Sequence, residues 1–175
     1  MQDKKIKMKI NKILIFGGCG HGKTCLGKNV SDLLNIPTYD LDNVTFNEEH
    51  SKKVSDSLRD KRLNNILKKQ RWIIEGPYAG EWIYPAIKKS EIIVILKINS
   101  LIATKRVISR FIKEKMKRVK NKGRTLKDLP RIMKYAFGYT YDYFPKHIDL
   151  AKTFNKEFII LKNKKQINRF LEDLK

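Results

Sequence analysis

Residues 10–24 read INKILIFGGCGHGKT, a β-branched apolar run that passes without a break into a glycine-rich loop. Ile10 to Phe16 has the composition of a short buried strand, and Thr24 to Leu34 has the apolar spacing of an amphipathic helix. Between them, Gly17-Gly18-Cys19-Gly20-His21-Gly22-Lys23-Thr24 matches G-x-x-x-x-G-K-[ST] in the strand-loop-helix setting that this motif requires. The glycines let backbone N–H groups converge on phosphate oxygens, and the helix N-terminus adds positive potential. The spacing therefore predicts a nucleotide phosphate site built from Gly17, Gly18, Gly20, His21, Gly22, Lys23, Thr24 and Cys25, with Lys23 reaching the β and γ phosphates and the Thr24 hydroxyl serving Mg²⁺. Cys19 and His21 occupy positions where the backbone does the binding, so neither side chain is assigned chemistry.

Outward from the loop, strands alternate with helices. Asn35-Ile36-Pro37 breaks the first helix, and Thr38 to Asp42 reads as a second strand that ends in carboxylates. Apolar residues at helical spacing predict one or two helices from Ser51 to Lys69. Trp72 to Pro77 reads as a strand that turns sharply at Gly76-Pro77, followed by a short helix from Glu81 to Lys88. Glu91 to Ile98 is a continuous apolar run, as in a parallel strand covered on both faces. A basic helix is expected from Leu101 to Val119, a basic break at Lys120 to Arg124, and a mostly helical stretch from Leu126 to Phe154 interrupted at Gly138 and Pro145. Phe158 to Leu161 and Lys165 to Leu174 close the pattern as strand and helix. The pattern predicts one domain, a three-layer α/β fold with a parallel five-stranded sheet, whose ligand site lies beyond the carboxyl ends of the strands.

Two groups of charged residues bear on chemistry. Asp40 and Asp42 alternate on the expected second strand, and Glu75 ends the third just before its turn. Carboxylates so placed can orient an attacking oxygen or hold Mg²⁺ through water. Asp42 is read as the acceptor-side residue or base and Glu75 as the Mg²⁺ ligand, against the alternative that Asp42 caps a helix. From Lys105 to Arg124 the chain carries ten Lys or Arg against one acidic residue, Glu114. Arg106 and Arg110 are four apart, so on a helix both lie on one face and can reach the same phosphates. With Arg124 they define a basic helical lid over about residues 105–125. Tyr135, Tyr139 and Tyr143 recur every four residues and predict one buried helical stripe.

Composition sets the remaining bounds. The 175 residues are enough to bury a core without disulfides or a structural metal. The two cysteines, Cys19 within the loop and Cys25 just after it, lack metal-ligand spacing and are expected as free thiols in the cytoplasm. No apolar run approaches the length of a membrane span. The net charge of +21 suits polyanions, nucleic acid included, but the excess of Lys over Arg beside abundant Ile and Asn also fits plain compositional drift. No Asn/Thr-Lys-x-Asp tetrapeptide reads guanine, so ATP is expected in preference to GTP.

Taken in order, these motifs resemble the adenylate-kinase-like P-loop kinases, and most closely the DNA topology modulation (FlaR-like) proteins. The matching residues are the loop from Gly17 to Thr24, Ile36-Pro37 leading to Leu41-Asp42, Arg71 to Tyr78, the run from Ile92 to Leu96, Arg106 with Arg110, Gly123-Arg124, and the final strand and helix. The resemblance implies a nucleoside-monophosphate-kinase-like fold that transfers the γ-phosphoryl of ATP to a nucleotide or other small acceptor. The family shows Asp and Gly-Asn-Tyr where this chain has Glu75 and Gly76-Pro77-Tyr78. Adenylate kinases carry acidic residues after the lid arginine, and Thr125 here begins no such run, which argues against AMP as acceptor.

Overall fold

In a computed structural model that describes residues 10–49, 52–116 and 129–175, five strands form one all-parallel sheet. The strands are β1 (Lys12–Phe16), β2 (Thr38–Asp40), β3 (Trp72–Gly76), β4 (Ile92–Leu96) and β5 (Phe158–Leu161), in the order β2-β3-β1-β4-β5. The helices are α1 (Lys23–Leu34), α2 (Leu41–Thr45), α3 (Asp56–Leu67), α4 (Tyr84–Lys89), α5 (Ser100–Met116), α6 (Leu129–Thr153) and α7 (Lys164–Asp173).

The two-residue period of the strands divides the core into two layers. Leu14 and Phe16, Trp72 and Ile74, and Ile93 and Ile95 share one cluster with Leu63 of α3, Ile87 of α4 and Tyr139 of α6. Ile13 and Ile15, Ile73, and Ile92, Val94 and Leu96 share the other with Leu26 and Val30 of α1 and Phe170 of α7. Each central strand is thus apolar on both faces, the pattern that marks a parallel sheet between helical layers.

Connection β1-α1-β2 runs to one side of β1 and the chain crosses to the other side at β4, so the loop after β1 opens at a topological switch point. This is the three-layer arrangement that the sequence predicts. Among the described residues, no helix is long and apolar enough to cross a membrane.

Three expectations are corrected. The second strand ends at Asp40, and Asp42 lies in the first turn of α2, so the two carboxylates do not project from one strand face. The stretch before Lys69 forms one helix, within the one or two expected, beginning at Asp56 behind a Ser55 cap. Helix α6 runs through both Gly138 and Pro145. Its buried positions Ala136, Tyr139, His147 and Ala151 hold it to the sheet, whereas Pro145 and Tyr141 are exposed. The proline denies the Tyr141 carbonyl its N–H partner on this exposed side, and the buried residues of the opposite side hold the helix together. Tyr135 is exposed as well, so the buried stripe passes through Tyr139 without it.

Candidate active site

The phosphate loop takes its shape from residues that only glycine can supply. Gly20 and Gly22 have φ of 76° and 90°, and Gly22 is the N-cap of α1, where no side chain caps the helix. No acidic residue stands in the first turn of α1, which leaves the positive helix end uncompensated. Lys23 folds over the loop, its Nζ donating to the Gly18 carbonyl at 3.2 Å.

His21 sits beneath this loop, fully buried. Its Nδ1 accepts from the Gly18 N–H at 2.7 Å, and its ring meets Tyr139 edge-on at 4.6 Å. Burial, assisted by the charge of Lys23 and, more weakly, of Arg106, lowers its pKa to about 4, although the Ile98 carbonyl acts in the opposite direction. The ring is therefore neutral at pH 7 and serves as an internal brace of the loop.

On the opposite wall, Thr24 donates its hydroxyl to Glu75 at 3.0 Å. Glu75, the last residue but one of β3, is in register with Asp40 on β2 and Ile15 on β1. Burial first, then the Asp40 charge, lifts its pKa from 4.5 to about 7, against the pull of Lys23 and Thr24 and with a further push from Asp42. A carboxyl whose pKa is higher in the fold than in the unfolded chain stabilises the fold fully below its ordinary value and loses that contribution as the pH rises towards 7. The gap from 4.5 to about 7 is worth up to about 3 kcal/mol. Glu75→Gln, a mimic of the protonated acid, should therefore raise the melting temperature of the ligand-free protein at pH 8 and change it little at pH 4. Scanning calorimetry at both pH values checks this, and an equal effect at the two would contradict the shift.

Asp40 and Asp42 have separate roles. Asp40 caps α2 by accepting from the Asp42 N–H at 2.8 Å, which gives it the capping role considered for Asp42. Asp42 accepts from the Tyr78 hydroxyl at 2.7 Å. Burial and the Asp42 charge raise the pKa of that hydroxyl, so it remains a donor.

Helix α5 closes the loop from a third direction. Ala103, Val107 and Phe111 are buried at four-residue spacing, and exposed Arg106 donates from Nη1 to the Gly20 carbonyl at 3.4 Å. Arg110 stands one turn further along and is exposed. The remainder of the basic arm, residues 117–125 of the expected lid with Arg124 among them, lies outside the described residues. Cys19 and Cys25 are free thiols, Cys25 exposed.

Among the described residues, no group of three or more His, Cys, Asp or Glu side chains is arranged to hold a metal alone. The hard oxygens of Thr24 and Glu75 instead fit an ion that takes few protein ligands and completes its shell with water and phosphate, as Mg²⁺ does. Sequence reading left Tyr78 and His147 without roles. Tyr78 lies in the segment after Glu75 and was legible as a neighbour, whereas a lone histidine on a helix gives no signal.

Solved structures share the fold. The chain is similar to a shikimate kinase from Bacteroides thetaiotaomicron, with 17% identity over 94% of this chain and 96% of that one and a TM-score of 0.60. A shikimate kinase from Acinetobacter baumannii in complex with shikimate gives 14% identity, 94% and 90% coverage and a TM-score of 0.61. A gluconokinase from Sinorhizobium meliloti 1021 gives 8% identity, 96% and 91% coverage and a TM-score of 0.58. The likeness shows a kinase-like P-loop α/β fold. No family model and no curated protein matches the sequence.

Proposed function

We propose that this chain is an ATP-dependent phosphotransferase that moves the γ-phosphoryl group of MgATP to a hydroxyl of a small acceptor, and that it is akin to the DNA topology modulation (FlaR-like) proteins. The observation that carries the reading is the surroundings of Glu75. One carboxyl hydrogen-bonds Thr24 of the phosphate loop while sensing Lys23 on one side and Asp40 and Asp42 on the other. Phosphate-binding and acceptor-side groups thus share one electrostatic site. That the similar solved structures include kinases of shikimate and gluconate, both hydroxyl-bearing small molecules, supports an acceptor of this class.

The residues divide the work by charge and position. Lys23 and the N-terminus of α1 hold the phosphates, and Arg106 and Arg110 offset the negative charge that grows as the phosphoryl group transfers. Asp42, aimed by Tyr78, accepts the acceptor's hydroxyl proton as its oxygen bonds to phosphorus and the bond to ADP breaks. Mg²⁺, when held by Thr24 and through water by Glu75, would neutralise phosphate charge. Catalysis here is mainly orientation and charge neutralisation.

Asp42→Asn should leave MgATP affinity within about twofold and lower transfer by about 10² to 10⁴. Glu75→Gln should instead raise the Mg²⁺ concentration needed for half-maximal turnover. Calorimetry with MgATP, together with ADP release across nucleoside monophosphates, polyols and hydroxy acids, separates the two effects. Parallel loss of MgATP affinity in both variants would contradict the assignment.

A further inference from the structure

His147 belongs to none of the motifs above, yet it touches both halves of the site. The ring is fully buried in α6 and stacks on Phe16, the last residue of β1, at 4.1 Å between centroids and 3° between planes. Its Nε2 lies 3.2 Å from the Tyr78 carbonyl, which can only accept, so Nε2 carries the proton. Nδ1 is then bare and accepts from the Tyr139 hydroxyl at 3.0 Å. Every polar atom of the ring is thus used in one tautomer, and both rings of the pair are fixed.

The two partners of His147 lead in opposite directions. Tyr139 abuts the phosphate loop: a Cβ built on Gly18 would come within 2.7 Å of its Cβ and Cγ, and its ring meets the His21 brace. Tyr78 lies just past the end of β3, where no sheet ladder holds its carbonyl, and its hydroxyl aims Asp42. His147 therefore links the segment that carries Asp42's donor to the wall of the loop that holds phosphate.

We propose that His147 is a positioning residue for phosphoryl transfer, fixing the Tyr78 hydroxyl, and with it the Asp42 carboxylate, relative to the phosphate loop. The inference rests on the reading of Asp42 given above. His147 touches neither reacting group; its effect passes through Tyr78. Loss of such alignment costs transfer and spares nucleotide binding, since small displacements of reacting groups reduce rate steeply.

His147→Phe keeps a stacking ring and deletes both hydrogen bonds, and Tyr78→Phe deletes only the terminal hydroxyl. In protein labelled with ¹³C at tyrosine Cζ, the Tyr78 resonance, assigned by its loss in Tyr78→Phe, should shift in His147→Phe. MgATP affinity should stay within about twofold while transfer falls about 10- to 100-fold. The double variant should lose no more than the worse single one, because both changes act through the same contact. His147→Gln, whose amide can donate and accept in place of the ring, should recover part of the rate and serves should His147→Phe fail to fold. Transfer by the parent together with an unmoved Tyr78 resonance, multiplying losses in the double variant, or parallel loss of MgATP affinity would overturn the inference alone. Absence of transfer by the parent with every acceptor would overturn the proposed function and this inference with it.

Discussion

Lys23→Ala is expected to lower turnover by about 10² to 10³ and to weaken MgATP binding sharply, without unfolding the protein. The half-buried Lys23 bonds a loop carbonyl, that of Gly18, and belongs to neither apolar cluster of the core. Truncation to Ala removes a charge over the phosphates while Ala remains a good helix former at the start of α1. It also removes a cation that holds down the pKa of Glu75, so that carboxyl should titrate higher still. Calorimetry with MgATP beside a thermal melt gives the answer. A variant that binds and turns over as the parent does would end the phosphate-loop reading, and one that simply unfolds would show that Lys23 is structural.

The second large effect falls on stability. A Cβ at Gly20 would lie 2.2 Å from the Ala103 carbonyl oxygen and 3.0 Å from Val107 Cγ2, on a backbone whose φ is already 76°. The nearest obstacle is the main-chain carbonyl of Ala103, which no rotamer change relieves, so either the loop or α5 must move. Gly20→Ala should cost about 2–4 kcal/mol and lower the melting temperature by roughly 5–15 °C. Gly22→Ala makes the control, because its φ of 90° is as strained but the only atom near its Cβ is Arg106 Nη1 at 3.9 Å. That variant should lose only about 1–2 kcal/mol, the cost of the backbone conformation. Equal losses in the two would mean that α5 does not press on the loop.

What the sequence made legible follows the range of the interactions involved. The phosphate loop is a local object: strand, glycines, lysine and helix lie within fifteen consecutive residues, so its pattern can be read directly. The apolar runs of β1 and β4 were equally plain, since burial on both faces leaves no polar residue to interrupt them. Asp42 stands out in the sequence but belongs to another element than expected, because a three-residue strand and the first turn of a helix share one stretch of sequence and only the Asp40 cap separates them. Pro145 looked like a break because propensity is judged without knowing that the helix is anchored on its other side. The link from Tyr139 through His147 to Tyr78 joins residues far apart in the chain, and no local spacing encodes it.

The order of the sheet also bears on how the molecule is made. Strand β1 leaves the ribosome before either of its neighbours exists: Lys12 must find Trp72 and Ile13 must find Ile92. No pair among the five parallel strands can zip from a tight hairpin, so each pairing waits for the closure of a long loop, and chains of this kind assemble slowly. Through that interval the nascent polypeptide shows apolar segments with unpaired edges, the condition in which neighbouring copies stick together. A chain that carries 39 basic residues against 18 acidic ones repels its own copies from the start of synthesis. The charge that reads first as an invitation to a partner thus has a second consequence, as a colloidal safeguard for a slow folder.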